Sequence, residues 1–153
     1  MKVSMHDCGV VDVFFGENVT VIKPVNLYGC SIGSDAFVGP FVEIQRGVII
    51  GNGTKIQSHS FICELVNIGK DCFIGHGVMF INDLFSNGGP ARGKKNLWQP
   101  TNIGNNVSIG SNATILPVSI YDNVIIGAGS VVTKDIKESG VYAGNPARFI
   151  RNI

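Results

Sequence analysis

An aliphatic or aromatic residue recurs every six positions from Ile32 onward: Ile32, Val38, Ile44, Ile50, Ile56, Ile62, Ile68, Ile74 and Phe80. The phase breaks there and resumes as Ile103, Ile109 and Ile115, then once more as Ile120, Ile126 and Val132. An amphipathic helix returns its apolar residues about every 3.6 positions and a half-buried strand every second one, so neither produces strict sixes. A second register stands two residues ahead of the first. It reads Cys30, Ala36, Val42, Val48, Thr54, Ser60, Val66, Cys72 and Val78, then Thr101, Val107, Ala113, Val118, Val124 and Ser130. Every member is small or β-branched, and residues two apart on a strand share a face. Each repeat therefore offers one large and one small inward residue, a pairing that packs a narrow interior tightly.

Glycine follows the large residue at Gly33, Gly39, Gly51, Gly69, Gly75, Gly104, Gly110 and Gly127. Asn and Asp crowd the next positions, as in Ser34-Asp35, Lys70-Asp71, Asn105-Asn106 and Asp122-Asn123. These are turn residues, tolerant of left-handed backbone angles. Short strands joined by tight turns at this period predict an all-β chain folded as a parallel β-helix. Three repeats close one triangular coil, so inward residues of successive coils stack about 18 positions apart. Coils cannot bury their faces singly. The chain supplies about six of them, as a single domain over 1–153 with one long excursion loop at about 82–102. Cys30 and Cys72 fall in the small register and read as core residues.

Composition narrows the function. The chain is 44% hydrophobic and 15% charged with a net charge of +1, which argues against disorder and against a nucleic-acid partner held by a basic face. The first residues, Met1 to Asp7, hold no apolar run that would serve as a signal peptide, and no stretch approaches the roughly 18 apolar residues of a membrane span. The four cysteines, Cys8, Cys30, Cys63 and Cys72, lack CxxC spacing, so neither a zinc site nor a redox pair is expected. A cytoplasmic protein with no metal, no membrane and no nucleic-acid partner is the resulting expectation.

The repeat resembles that of the hexapeptide-repeat acyltransferases, which implies a left-handed β-helix. The C-terminal run Ile125-Ile126-Gly127-Ala128-Gly129-Ser130-Val131-Val132-Thr133-Lys134-Asp135-Ile136, followed by Ala143-Gly144-Asn145-Pro146-Ala147-Arg148, is similar to that superfamily's ending. A narrower resemblance lies in Gln57-Ser58-His59-Ser60-Phe61-Ile62-Cys63-Glu64 and in Gly75-His76-Gly77-Val78-Met79-Phe80-Ile81-Asn82-Asp83. Both segments resemble enzymes that acetylate 3-amino deoxysugars carried on dTDP or UDP. The resemblance implies acetyl-CoA as co-substrate, a homotrimer with sites between subunits, and a place in lipopolysaccharide O-antigen biosynthesis. It implies that Asn82 lies beside the reacting amine and that Glu64 contacts the sugar. Related 4-amino-sugar enzymes often carry an extra N-terminal domain, and this chain enters its repeats almost at once, which favours the 3-amino type. The sequence departs from the family in the excursion, where Pro90 and Arg92 are displaced and separated. It departs again at Ile115 to Ile120, which is one residue short, and at Tyr121, where glycine is usual.

Acetyl transfer to an amine needs a thioester held in line, an unprotonated nitrogen and donors for the oxyanion. Asn82, His59 and His76 are the catalytic candidates. The two histidines stand 17 positions apart, nearly one coil, and either would serve as general base or merely bond to backbone. A base is dispensable if the departing thiolate takes the proton, and Asn82 then orients substrate. Glu64, Asp83 and Trp98 are the substrate-side candidates. Glu64 sits at a corner where its carboxylate would fix a hydroxyl or an ammonium, or stay solvated. Trp98 either closes over a ligand or pins the loop, and its spacing favours pinning. Gly110, Gly127 and Ala128 leave room for a pantetheine arm, with Lys134 and Arg148, and also Lys137 and Arg151, available for phosphates. Three rivals stand beside this reading. A γ-type carbonic anhydrase needs two histidines five apart, which are absent here. A structural or ice-binding β-helix would show threonine ladders. An O-acetyltransferase acting on a sugar, serine or antibiotic hydroxyl is the main alternative.

Overall fold

Strands of two to four residues, each ended by a corner, wind the chain into a parallel β-helix. The computed structural model describes residues 3–4 and 9–153; His6 and Cys8 lie outside the described residues. Three sheets run the length of the prism. The first takes Val10–Val11, Asn26–Tyr28, Glu43–Ile44, Phe61–Ile62, Met79–Phe80, Thr114–Ile115 and Val131–Val132. The second takes Phe14–Phe15, Ser31–Ile32, Ile49–Ile50, Val66–Ile68, Thr101–Ile103 and Ser119–Ile120. The third runs from Thr20–Val21 through Phe37–Val38, Lys55–Ile56, Phe73–Ile74, Ser108–Ile109 and Val124–Ile126 to Gly140–Ala143. There the chain turns back, and Arg148–Arg151 pairs antiparallel with Gly140–Ala143 to close that end of the sheet.

Both inward registers are buried as the periodicity predicts. Ile32, Val38, Ile44, Ile56, Ile62, Ile74 and Phe80 have no exposed surface, and Cys30 and Cys72 pack in the core. The polar members of the small register bond to neighbouring backbone, so burying them leaves no orphaned hydroxyl. Thr54 donates to the Gly69 carbonyl at 2.8 Å and Ser60 to that of Gly75 at 2.9 Å.

The coil count exceeds the expected six by one: the first sheet has seven strands. The additional coil precedes Ile32, where Phe15, Val21 and Leu27 carry the same large register, ahead of a five-residue step to Ile32. That step makes the first coil 17 residues long, so Leu27 pairs with Ile44, whereas Val38 and Ile56 stand 18 apart. The short step from Ile115 to Ile120 acts likewise at the other end, where Ile109 pairs with Ile126 and Ile115 with Val132. The excursion occupies 81–100 and holds one 3-10 turn, Lys95–Leu97. It leaves the prism at the corner between the first and second sheets.

Candidate active site

Corner by corner, the fold places Asn82, Glu64 and Asp83 on one edge of the first sheet and the two histidines on the other. At the edge leading to the second sheet, the Asn82 side-chain amide donates to the Glu64 carbonyl at 3.1 Å. The two residues are 18 apart, one coil, so stacking alone brings them together. The base of the excursion closes beside them, where the Gln99 amide donates to the Asn82 carbonyl at 2.9 Å. A cleft of 350 Å³ opens here, lined among others by Gln45, Phe61, Cys63, Asn82, Asp83 and Trp98.

A polar ladder fixes the cleft wall. The Glu64 amide donates to Gln45 Oε1 at 3.2 Å, and Gln45 Nε2 donates in turn to Glu43 Oε1 at 3.1 Å. The Tyr28 hydroxyl also donates to Glu43 Oε1, and burial, with the Glu43 carboxylate beside it, pushes that hydroxyl above its ordinary range. Cys63 is buried at the cleft, and loss of hydration raises its thiol to about 12, which leaves it neutral and unsuited to nucleophilic attack.

Glu64 itself is paired. Both its carboxylate oxygens accept from Lys95 Nζ, at 2.8 and 2.6 Å, and that nitrogen stands 5.4 Å from the centroid of the Trp98 ring. Trp98 is half-buried, lines the cleft and receives Lys95. Asp83 organises the loop: Oδ1 accepts from the Phe85 amide at 2.9 Å and Oδ2 from the Ala91 amide at 2.7 Å.

The opposite edge, between the third and first sheets, carries Gly39-Pro40-Phe41, Gln57-Ser58-His59, Gly75-His76-Gly77, Gly110-Ser111-Asn112 and Gly127-Ala128-Gly129 on successive coils. His59 and His76 are both exposed here. His76 Nδ1 bonds to Ser58 Oγ at 2.9 Å, and the His59 ring stacks on Phe41 with centroids 4.9 Å apart. The edge is glycine-rich because the coils demand it. A Cβ on Gly110 would meet the Cα of Ala128 at 2.8 Å, and one on Gly127 would meet the Ala143 Cβ at 2.8 Å. Lys134 stands at the corner between the first and second sheets on the last coil, and with Arg148, Tyr142 and Phe149 it lines a 280 Å³ hollow at that end of the prism. Arg151 lies on the outer strand, its guanidinium bonded to the Asn152 carbonyl. A larger hollow of 490 Å³ lies on the corner between the second and third sheets and holds only Lys137 of the expected residues.

Asn82, His59 and His76 are thus not gathered within one chain. Gln45 and Phe61 line the cleft and Lys95 pairs with Glu64 beside it, three residues that sequence reasoning missed. Gln45 stands at the corner one coil above Cys63, a position the period exposes, whereas Lys95 lies in an aperiodic loop.

Two family models match the repeats: "Bacterial transferase hexapeptide (six repeats)" over 29–64 and "Hexapeptide repeat of succinyl-transferase" over 100–134. Among curated proteins the chain is similar to the bifunctional protein GlmU of Clostridium beijerinckii, 35% identical over 143 residues. That match covers 90% of this chain and 28% of the relative, so the chain spans little more than a quarter of it. Among solved structures, a hexapeptide-repeat acetyltransferase from Vibrio cholerae O1 biovar eltor, complexed with acetyl coenzyme A, aligns with a TM-score of 0.68 at 26% identity, over 81% of this chain and 70% of that one. A variant of AntD, an N-acyltransferase from Bacillus cereus in complex with dTDP and coenzyme A, shares the fold with a TM-score of 0.80 at 24% identity, over 92% and 83% of the two chains. With its matched repeats and its stacked three-sheet coils, the chain belongs to the hexapeptide-repeat transferase superfamily.

Proposed function

We propose that the chain transfers an acetyl group from acetyl-CoA to the amino group of a nucleotide-linked amino deoxysugar, with a 3-amino sugar favoured. The observation that carries this reading is the corner where Asn82 stacks on Glu64 beside a cleft lined by Asn82 and Trp98: a carboxylate, a neutral amide and an aromatic ring suit an amine-bearing sugar. The acetyl-CoA complex of the Vibrio cholerae relative supports the donor, and the dTDP bound by AntD suggests where a panel of carriers should begin.

In the transfer, the acceptor nitrogen attacks the thioester carbonyl and forms the C–N bond. The tetrahedral oxyanion then collapses, the C–S bond breaks, and the thiolate leaves with the proton shed by nitrogen. Asn82 orients the amine. Glu64 and Trp98 hold the sugar end, and the glycine edge with Ala128 receives the pantetheine arm, which Lys134 and Arg148 anchor by its phosphates. The two edges lie on opposite sides of one sheet, so a complete site requires a second copy of the chain. That supports a homotrimer with sites between subunits.

Thiol release from acetyl-CoA with a panel of dTDP- and UDP-linked amino sugars tests the assignment. Turnover with a 3-amino sugar that drops about 100-fold or more in Asn82→Ala is the expected result. The His76–Ser58 pair on the donor edge favours one second reading, a histidine base activating a sugar hydroxyl. Turnover confined to hydroxyl acceptors and lost in His76→Ala would establish that reading instead.

A further inference from the structure

Among the described residues, Lys95 supplies the cation that pairs with the Glu64 carboxylate. It reaches both oxygens of Glu64 and lies 5.4 Å from the Trp98 ring centroid. A carboxylate fork beside an indole face is an arrangement that binds ammonium groups generally. The two partners are held unequally. Glu64 is anchored through its amide to Gln45 and through its carbonyl to Asn82, and its side chain is 21% exposed. The Lys95 side chain is 59% exposed and rises from a three-residue turn with no buried residue. The seat is built into the prism, and its occupant belongs to a loop.

We propose that Glu64 and Trp98 form the seat for the acceptor's ammonium, and that Lys95 occupies this seat in the unliganded chain as an internal competitor. The inference deepens the amino-sugar reading and rests on it. The substrate ammonium displaces Lys95 and takes over its two carboxylate contacts; it then sheds one proton to solvent, and the free amine, oriented by Asn82, attacks the thioester. A hydroxyl in the same place cannot replace the lost ion pair, so the Glu64 seat favours amines, while Lys95 lowers the affinity of every occupant by the same factor. Exposed ion pairs are weak. The closed state therefore lowers apparent amine affinity by about two- to fivefold.

Lys95→Met removes the charge and keeps the apolar stem. With a dTDP-linked 3-amino deoxysugar, its KM should fall about two- to fivefold while kcat and the KM for acetyl-CoA hold. Trp98 is the only tryptophan, and its emission in unliganded Lys95→Met should shift in the same direction as saturating amino sugar shifts the wild type. A KM that rises in Lys95→Met, or one that is unchanged together with unchanged emission, overturns the proposal. Failure of the parent reading has a different signature, namely no thiol release by the wild type with any amino sugar. The emission titration needs no turnover. A saturable shift with the amino sugar that disappears in Glu64→Gln supports the seat, and a flat titration overturns it.

Discussion

Single positions in this chain are constrained by two distinct demands, and two glycines separate them. Gly47 turns the corner between the first and second sheets at φ +76°, with open space around the position a Cβ would take. Alanine there meets no neighbour and incurs only the left-handed penalty, about 1 kcal/mol. Gly110 has no positive φ, yet a Cβ would run into the backbone of Gly127 and Ala128 on the next coil. Backbone cannot rotate away as a side chain can, so Gly110→Ala should be destabilised by roughly 3 kcal/mol. Thermal unfolding of both variants checks the order: a fall of about 2–4 °C for Gly47→Ala and about three times that for Gly110→Ala. The comparison bears on function too. Gly110 reads from sequence as room for a cofactor, and the structure adds a packing demand, so Gly110→Ala disturbs the coil as well as the proposed donor edge.

Among the elements, the excursion is the least regular and the most consequential. Its order depends on Asp83, whose two oxygens accept from the Phe85 and Ala91 amides. Asp83→Ala leaves both amides to solvent and frees the segment between them. Amide-to-carboxylate bonds contribute about 1.5–3 kcal/mol each, enough to open the loop without melting the prism. Limited proteolysis should therefore cut Asp83→Ala within 84–98 about tenfold or more faster than the wild type, with the unfolding temperature of the body little changed. What the sequence reveals divides at the same boundary. Glu64 and Asn82 enter the site through the resemblance, and their spacing of one coil is what stacks them at the same corner. Residue type marks Asp83 and Trp98 as substrate candidates without revealing their loop partners, and nothing in the sequence marks Lys95. Loop geometry follows from turns and local hydrogen bonds with no repeat to reveal it, so residue type alone does not foretell partners.

At the scale of the whole molecule, periodicity gave the all-β solenoid and nearly every inward residue, because a buried stack tolerates little else at those positions. The seventh coil was missed through one omitted residue: the five-residue step between Leu27 and Ile32 breaks the phase without breaking the stack. The same geometry separates the two halves of the candidate site. Asn82 and Glu64 lie on one edge of the first sheet, and His76, Gly110 and Ala128 on the other. If each site joins the acceptor edge of one protomer to the donor edge of the next, the damage done by two different variants becomes complementary. Asn82→Ala disables the acceptor edge, and Ala128→Trp blocks the donor edge by bulk, whichever group handles the proton. Each variant alone should be nearly inactive. In assemblies formed by co-expressing them in equal amounts, half of the acceptor edges and half of the donor edges are intact. A site drawn from two chains combines an intact pair about one time in four, so activity should return to roughly a quarter of the wild-type level. Sites contained within one protomer would regain nothing, because every chain carries one lesion. Thiol release by the co-expressed protein, purified through one tag common to both variants so that all assemblies are kept, measures the difference.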